Sequence, residues 1–196
     1  MKITNITGIP LRCACAPISD ALSTSFARQA LLVKIETDTE LFGIGEAFTY
    51  GAPLAAMKVI VEEELGAMLI GRDPSAIEEI WQIMYWRSIA HGRRGLIMGC
   101  ISGIDIALWD LFGKMVHQPV AKLLGQHFDR IPSYASGGFY QVGKGFDELR
   151  AELEGYMEKG YRDAKIKIGR NLDRPGNPLH YMGFQGNAVS VEDDYQ

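Results

Sequence analysis

Leu96-Ile-Met-Gly-Cys100-Ile-Ser-Gly-Ile-Asp105-Ile-Ala-Leu-Trp-Asp110-Leu-Phe-Gly-Lys114-Met115 is the stretch on which the fold turns. It is apolar enough for a membrane span, yet Asp105, Asp110 and Lys114 would be expensive to place in lipid. It therefore reads as the buried helix of a soluble domain. Asp105 and Asp110 stand five apart and do not share a helix face, so they are not expected to form a metal pair.

Upstream, Leu54, Met57, Val61, Leu65 and Met68 recur at three- and four-residue steps, which predicts a helix from Ala52 stopping at Gly71. Asp73-Pro74 looks like an N-cap followed by proline at the first helical position, opening a second helix that buries Ile77, Ile80, Trp81 and Met84. Nearer the amino terminus, residues 2–11 alternate Ile3, Thr4, Ile6, Thr7 and Ile9. Residues 31–37 and 42–48 flank the turn Asp38-Thr39-Glu40, and the three stretches together predict a three-stranded antiparallel sheet. Pro17–Ala30 is polar and aperiodic and reads as a mobile loop. Sheet then helices makes an α+β domain.

Downstream of Gly125 the pattern changes. Ile131–Tyr140 reads as a strand, Phe146–Lys159 as a helix with Leu149, Leu153, Tyr156 and Met157 on one face, and Asp163–Ile168 as a second strand. That is one β-α-β unit, which requires parallel strands. Asn171–Asn187 is rich in Gly, Pro and Asn and reads as a long loop, and Ser190-Val191-Glu192-Asp193 resembles a capping box opening a further helix.

Composition narrows the classes. The 196 residues are 47% apolar and 22% charged, an ordinary soluble composition. A net charge of −4, with no basic run longer than Arg93-Arg94, argues against a nucleic-acid partner. Three cysteines are an odd count, and Cys13 and Cys15 are too close for a relaxed disulfide, so a reducing, cytoplasmic setting is expected. Cys-x-Cys without a second pair is a poor zinc site. Met1-Lys2-Ile3-Thr4 does not begin a signal peptide, and no membrane association is expected. Gly43-Ile-Gly45 follows a strand but opens no helix, so it does not read as a dinucleotide site. His91, His117, His127 and His180 show no ligand spacing.

Cys100–Lys114, followed by Pro119-Val120 and Leu123-Leu124-Gly125, resembles the signature helix of the mandelate racemase and muconate lactonizing enzyme family of the enolase superfamily. It departs from that pattern mainly at Cys100, where the family usually has alanine. The resemblance implies an α+β capping domain over residues 1–125, followed over 126–196 by the first strands of an α/β (β/α)8 TIM-type barrel, incomplete in this chain. Asp105 and Asp110 are then expected to bond locally and fix the signature helix against the barrel. A full barrel needs about 250 residues. A complementary polypeptide, or a remainder of the same one, is accordingly expected to complete it, and the completed enzyme is expected to be a homo-oligomer.

Lys165 and Lys167 in Asp163-Ala-Lys-Ile-Lys-Ile-Gly169 are the candidate catalytic residues. On a strand, positions i and i+2 point the same way, so both ammonium groups project to one side. In a parallel barrel that side is the interior, where two like charges disfavour double protonation and one amine can serve as a base. Taken alone, Lys-x-Lys on a strand reads more readily as a solvated face. The resemblance decides for the interior, because it makes this motif the family's second barrel strand. It assigns removal of the proton beside a substrate carboxylate to Lys167, and to Lys165 the holding of that carboxylate. Removing that proton puts a second negative charge on an anion, and preorganised positive charge must offset it. The resemblance implies Mg2+ in this role, on three carboxylates from later barrel strands. No residue of this chain is assigned as a metal ligand, and Glu192, Asp193 and Asp194 read as a helix amino terminus.

The loop Pro17–Ala30 resembles the family's specificity loop, which makes Ser23, Thr24, Ser25 and Arg28 candidate substrate contacts, with Tyr50 and Ser136 as further ones. Gly71-Arg-Asp-Pro74, Ala107-Leu-Trp-Asp110 and Tyr134-Ala-Ser-Gly-Gly138 look closest to sugar-acid dehydratases. Dehydration of an aldonate or aldarate is the expected reaction, with racemisation or epimerisation of a 2-hydroxy acid as the alternative. An inactive fragment, or the binding subunit of a split enzyme, is the alternative of another class.

Overall fold

The computed structural model describes residues 1–20, 24–141 and 143–168. It divides into two compact units: Met1–Cys13 with Gln29–His127, and Ala14–Arg28 with Phe128–Gln196.

The first unit is built on the sheet. β1 (Ile3–Ser19), β2 (Thr24–Thr37) and β3 (Phe42–Ala47) lie in that order, and β2 pairs antiparallel with β3, Val33 opposite Gly45. Alternation places Leu31, Val33 and Ile35 on the buried face of β2 and Gly43, Gly45 and Ala47 on that of β3. Bulk on one strand thus faces smallness on the next. The bare backbone of β3 receives α3 (Leu96–Met115), which turns Gly99, Gly103 and Ala107 toward it. Gly43-Ile-Gly45 therefore serves close helix–sheet approach. The rest of the core is built from Ile97, Ile101, Ile104, Leu108 and Leu111 of α3 packed with Ile3 and Ile6 of β1 and with residues between the sheet and α3.

Cys100 is fully buried, and its Sγ lies 3.6 Å from the carbonyl oxygen of Met57. Burial pushes this thiol up to about 12, so it is inert as a nucleophile at neutral pH. Asp110 bonds locally and fixes α3 against the sheet: its Oδ2 accepts the Ile44 amide at 2.8 Å and the Lys114 ammonium at 2.7 Å. Lys114 also donates to the Phe42 carbonyl at 2.8 Å and lies 4.6 Å from the centre of the Phe42 ring. Asp110→Ala leaves the Ile44 amide without its acceptor, an expected loss of about 1–3 kcal/mol in denaturant unfolding. Asp105 has a different setting. It lines an open groove with Glu78, Trp81 and Trp109, where burial first and the Glu78 charge second raise its pKa.

The helices before α3 differ from their sequence patterns. The run from Ala52 is three pieces: α1 (Leu54–Val59), a π-helical turn over Ile60–Leu65 and a 3-10 turn over Gly66–Met68. The Gly66 amide reaches back to Val61, so the turn is wider than the α spacing that apolar periodicity assumes. Asp73 does not cap a helix; its Oδ1 accepts the amide and hydroxyl of Ser75, and α2 starts only at Ile77, running to Gly92.

Pro17–Ala30 is a further correction. β1 continues to Ser19 and β2 already begins at Thr24, so the described part of this stretch is largely strand. From Ile9 to Pro17 most side chains are exposed on both faces, and a strand with no buried face shows no hydrophobic alternation. Ala21–Ser23 lie outside the described residues.

In the second unit Ser19 and Tyr140 exchange both backbone hydrogen bonds, at 3.0 and 2.9 Å. β4 (Ala135–Ser136) and β5 (Ala164–Lys165) pair in parallel, as the β-α-β reading requires. The short helix α4 (Val120–Leu123) precedes β4 in the chain, and between β4 and β5 comes α5 (Phe146–Glu158), where Glu148 reaches back to the Gly145 amide at 2.8 Å. Both strands are shorter than the sequence predicts. Gly138, at φ +61°, ends the regular ladder: Gly137 N donates to Lys165 O at 3.0 Å, but Lys167 N donates to Gly138 O at 3.2 Å. The pairing slips by one residue, as at a bulge. The capping-box reading at Ser190–Asp193 and the Asn171–Asn187 loop lie outside the described residues.

Candidate active site

Lys165 and Lys167 leave β5 and its extension, each beside an aromatic ring. Lys165 Nζ lies 5.5 Å from the centre of the Tyr134 ring, and Lys167 Nζ lies 4.9 Å from that of Phe139. Arg28, from the β2 arm, places its guanidinium carbon 5.9 Å from the same Phe139 ring. Each cation meets the negative face of a π system, an attraction of about 0.5–1 kcal/mol where water still reaches the group. One ring thus gathers a lysine and an arginine that are far apart in sequence.

The other expected contacts fall as follows. Ser136 is exposed on β4, directly opposite Lys165 in the register. Ser25 is exposed on β2, Thr24 begins that strand, and Ser23 lies outside the described residues. Tyr50 belongs to the first unit, exposed at φ +26°, its ring stacked on Phe48 at 5.8 Å. The structure therefore places Arg28, Ser136, Lys165 and Lys167 in the second unit and Tyr50 in the first.

Behind the lysine strand lies a polar cluster that sequence patterning missed. Glu152 of α5 accepts the Gly138 amide at 3.1 Å, the Tyr156 hydroxyl at 2.5 Å and the Lys144 ammonium. Lys144 Nζ also donates to the Phe139 carbonyl at 3.0 Å. Burial opposes the charge on Glu152, but the bonds from Lys144, Tyr156 and Gly138 outweigh it and hold its pKa below the ordinary glutamate range. Tyr156 moves the other way, raised chiefly by its bond to Glu152. The available signal was the Glu152/Tyr156 spacing of four along a helix. Periodicity assigns Tyr156 to the apolar face and gives Glu152 no partner.

Among the described residues no three histidine, cysteine or carboxylate side chains converge to hold a metal ion. These residues therefore do not fit a magnesium site.

A sheet capped by a long small-residue helix, running into a parallel β-α-β segment with a lysine pair, defines an enolase-superfamily capping domain followed by the first strands of a barrel. Residues 3–125 match the mandelate racemase / muconate lactonizing enzyme, N-terminal domain, and the chain belongs to that family. It is 37% identical over 141 residues to an arabinonate dehydratase of Saccharolobus solfataricus, which covers 72% of this chain and 38% of that protein. A racemase from Streptomyces coelicolor with bound magnesium superposes at TM-score 0.80 and 30% identity, over 87% of this chain and 48% of that one. L-talarate/galactarate dehydratase from Salmonella typhimurium, liganded with Mg and L-lyxarohydroxamate, superposes at TM-score 0.77 and 26% identity, over 86% and 44%. The chain spans less than half the length of each of these relatives.

Proposed function

We propose that this chain contributes the proton-abstracting side of a cytoplasmic sugar-acid dehydratase, acting once further polypeptide completes the barrel. The observation that carries this reading is the placement of Lys165 and Lys167 beside Tyr134 and Phe139, with Arg28 on the same Phe139 ring. Arg28 and Lys165 offer two fixed cations for an anionic substrate, and Lys167 offers the amine. The arabinonate and L-talarate/galactarate dehydratases among the relatives support a hydroxylated acid as substrate.

In the proposed reaction Lys167 Nζ takes the C2 proton, and the C–H electron pair moves into the carboxylate to form an enediolate. Lys165 holds one carboxylate oxygen and opposes the growing charge. The electron pair then returns and expels the C3 hydroxyl, which leaves as water with a proton from an acid outside the described residues. The resulting enol tautomerises to a 2-keto-3-deoxy acid. Magnesium, present in the structures of two relatives, is expected to require ligands outside the described residues.

Incubating the full-length protein with Mg2+ and a panel of aldonates and aldarates in D2O tests this. Proton NMR is expected to show loss of the C2 signal of one acid together with a single-proton C3 signal of the keto product, whose second C3 position takes a deuteron from the solvent. C2 exchange with inversion and no loss of water would establish the racemase alternative instead, and no loss of the C2 signal from any acid would remove the reading.

A further inference from the structure

We infer that Glu152, acting with Lys144, is a positioning residue for Lys167. This rests on the proposed role of Lys167 as base.

Lys144 and Glu152 side chains are only 13% and 26% exposed, and the proton transfer makes no use of either. A partly buried ion pair costs desolvation on both sides, which good geometry and further hydrogen bonds can offset. Here those further bonds all end on one short segment. Glu152 accepts from the Gly138 amide, and Lys144 donates to the Phe139 carbonyl, so the pair clamps the backbone from residue 138 to 139. The same segment carries Lys167: its amide donates to the Gly138 carbonyl, and its ammonium rests against the Phe139 ring. Gly137, next in the chain, holds Lys165 through that residue's carbonyl.

The packing leaves the clamp little slack. A Cβ on Gly137 would overlap the Tyr156 hydroxyl and the Glu152 carboxylate, and one on Gly138 would come within 2.6 Å of Ile166 Cβ. The segment therefore sits directly on the cluster, and a change in Glu152 is transmitted to the backbone that aims Lys167. Misplacing a reacting group by about 1 Å can cost roughly 100-fold in rate.

The test uses the full-length enzyme with the sugar acid that loses its C2 proton, in its protiated and C2-deuterated forms, and reads kcat, KM and the primary isotope effect. Glu152→Gln keeps the shape but removes the charge that holds Lys144. It is expected to lower kcat about 10- to 100-fold with KM within about twofold. The C2 primary isotope effect is expected to increase as proton transfer slows against the other steps. A smaller folded fraction would lower kcat and leave the isotope effect unchanged, so a lower kcat with a wild-type isotope effect overturns the inference, as does a wild-type kcat. Lys144→Met leaves the Gly138 and Tyr156 bonds in place and is expected to raise the isotope effect in the same way. It carries the test if Glu152→Gln does not fold. Lys167→Ala is measured alongside. An inactive Lys167→Ala with a wild-type Glu152→Gln overturns the positioning role alone, whereas an active Lys167→Ala removes the base and the positioning role together.

Discussion

Lys167→Ala in the full-length enzyme is expected to reduce the rate of C2 proton loss by about 10²–10⁴-fold, the usual contribution of a general base. The substitution leaves the backbone bond from residue 167 to Gly138 intact, and the Lys167 side chain is only half-buried, so folding is expected to survive. Loss of rate would then be chemical. Alanine by itself does not separate a base from a cation that merely holds the substrate. Lys167→Arg does: arginine keeps the charge and the ring contact with Phe139 but stays protonated at any working pH. If Lys167 is the base, arginine is expected to be as inactive as alanine. If the residue only supplies charge, arginine retains most of the activity and the base assignment fails. Lys165→Ala is expected to act differently, raising KM as well as lowering kcat, because a group that holds the carboxylate contributes to the bound ground state.

The largest expected effect on folding is at Gly45. A Cβ there would overlap the Gly103 carbonyl oxygen and sit 2.7 Å from the Ala107 amide nitrogen and 3.1 Å from Ile106 Cβ. The first two are helix backbone, which no side-chain rotation can move aside. Gly45→Ala must therefore push α3 off β3, and with it the core built on Ile101, Ile104 and Leu108, at an expected cost of about 3 kcal/mol or more. Denaturant unfolding measures this directly. Gly125→Ala is the control, since it meets open space but stands at φ +81°, where the left-handed conformation costs about 1–2 kcal/mol. If Gly45→Ala unfolds no more readily than Gly125→Ala, the close helix–sheet contact is not what holds this unit together.

Particular residues show how far the sequence could be read. The α3 bounds, Leu96–Met115, follow from a long apolar run ended by Lys114 and His117-Gln118-Pro119, because its burial is continuous and leaves an uninterrupted record. The β2–β3 hairpin was legible for a related reason: one buried face enforces alternation through Leu31, Val33 and Ile35. The arms beyond that face were not. Ile9–Pro17 and Thr24–Gln29 are held as strands by backbone pairing, which places no demand on side-chain type. The α1 region misled for a third reason, since apolar steps of three and four are kept while the hydrogen bonding passes from α to π to 3-10.

The candidate site divides in the same way. Lys165 and Lys167 were legible as a pair two apart on a strand, and their proposed chemistry came with the family resemblance. That two aromatic rings would stand beside them was not legible, nor that Arg28 would share one of those rings. By itself the sequence determined the element order, the parallel β-α-β unit and the identity of the lysine strand, all of which rest on local periodicity and short motifs. Tertiary structure alone decided the glycine-mediated seating of α3 on β3, the slip in pairing at Gly138, and the Lys144–Glu152–Tyr156 cluster behind Phe139. Those depend on which backbone groups meet across long sequence separations, and hydrogen bonds of that kind leave no period to read.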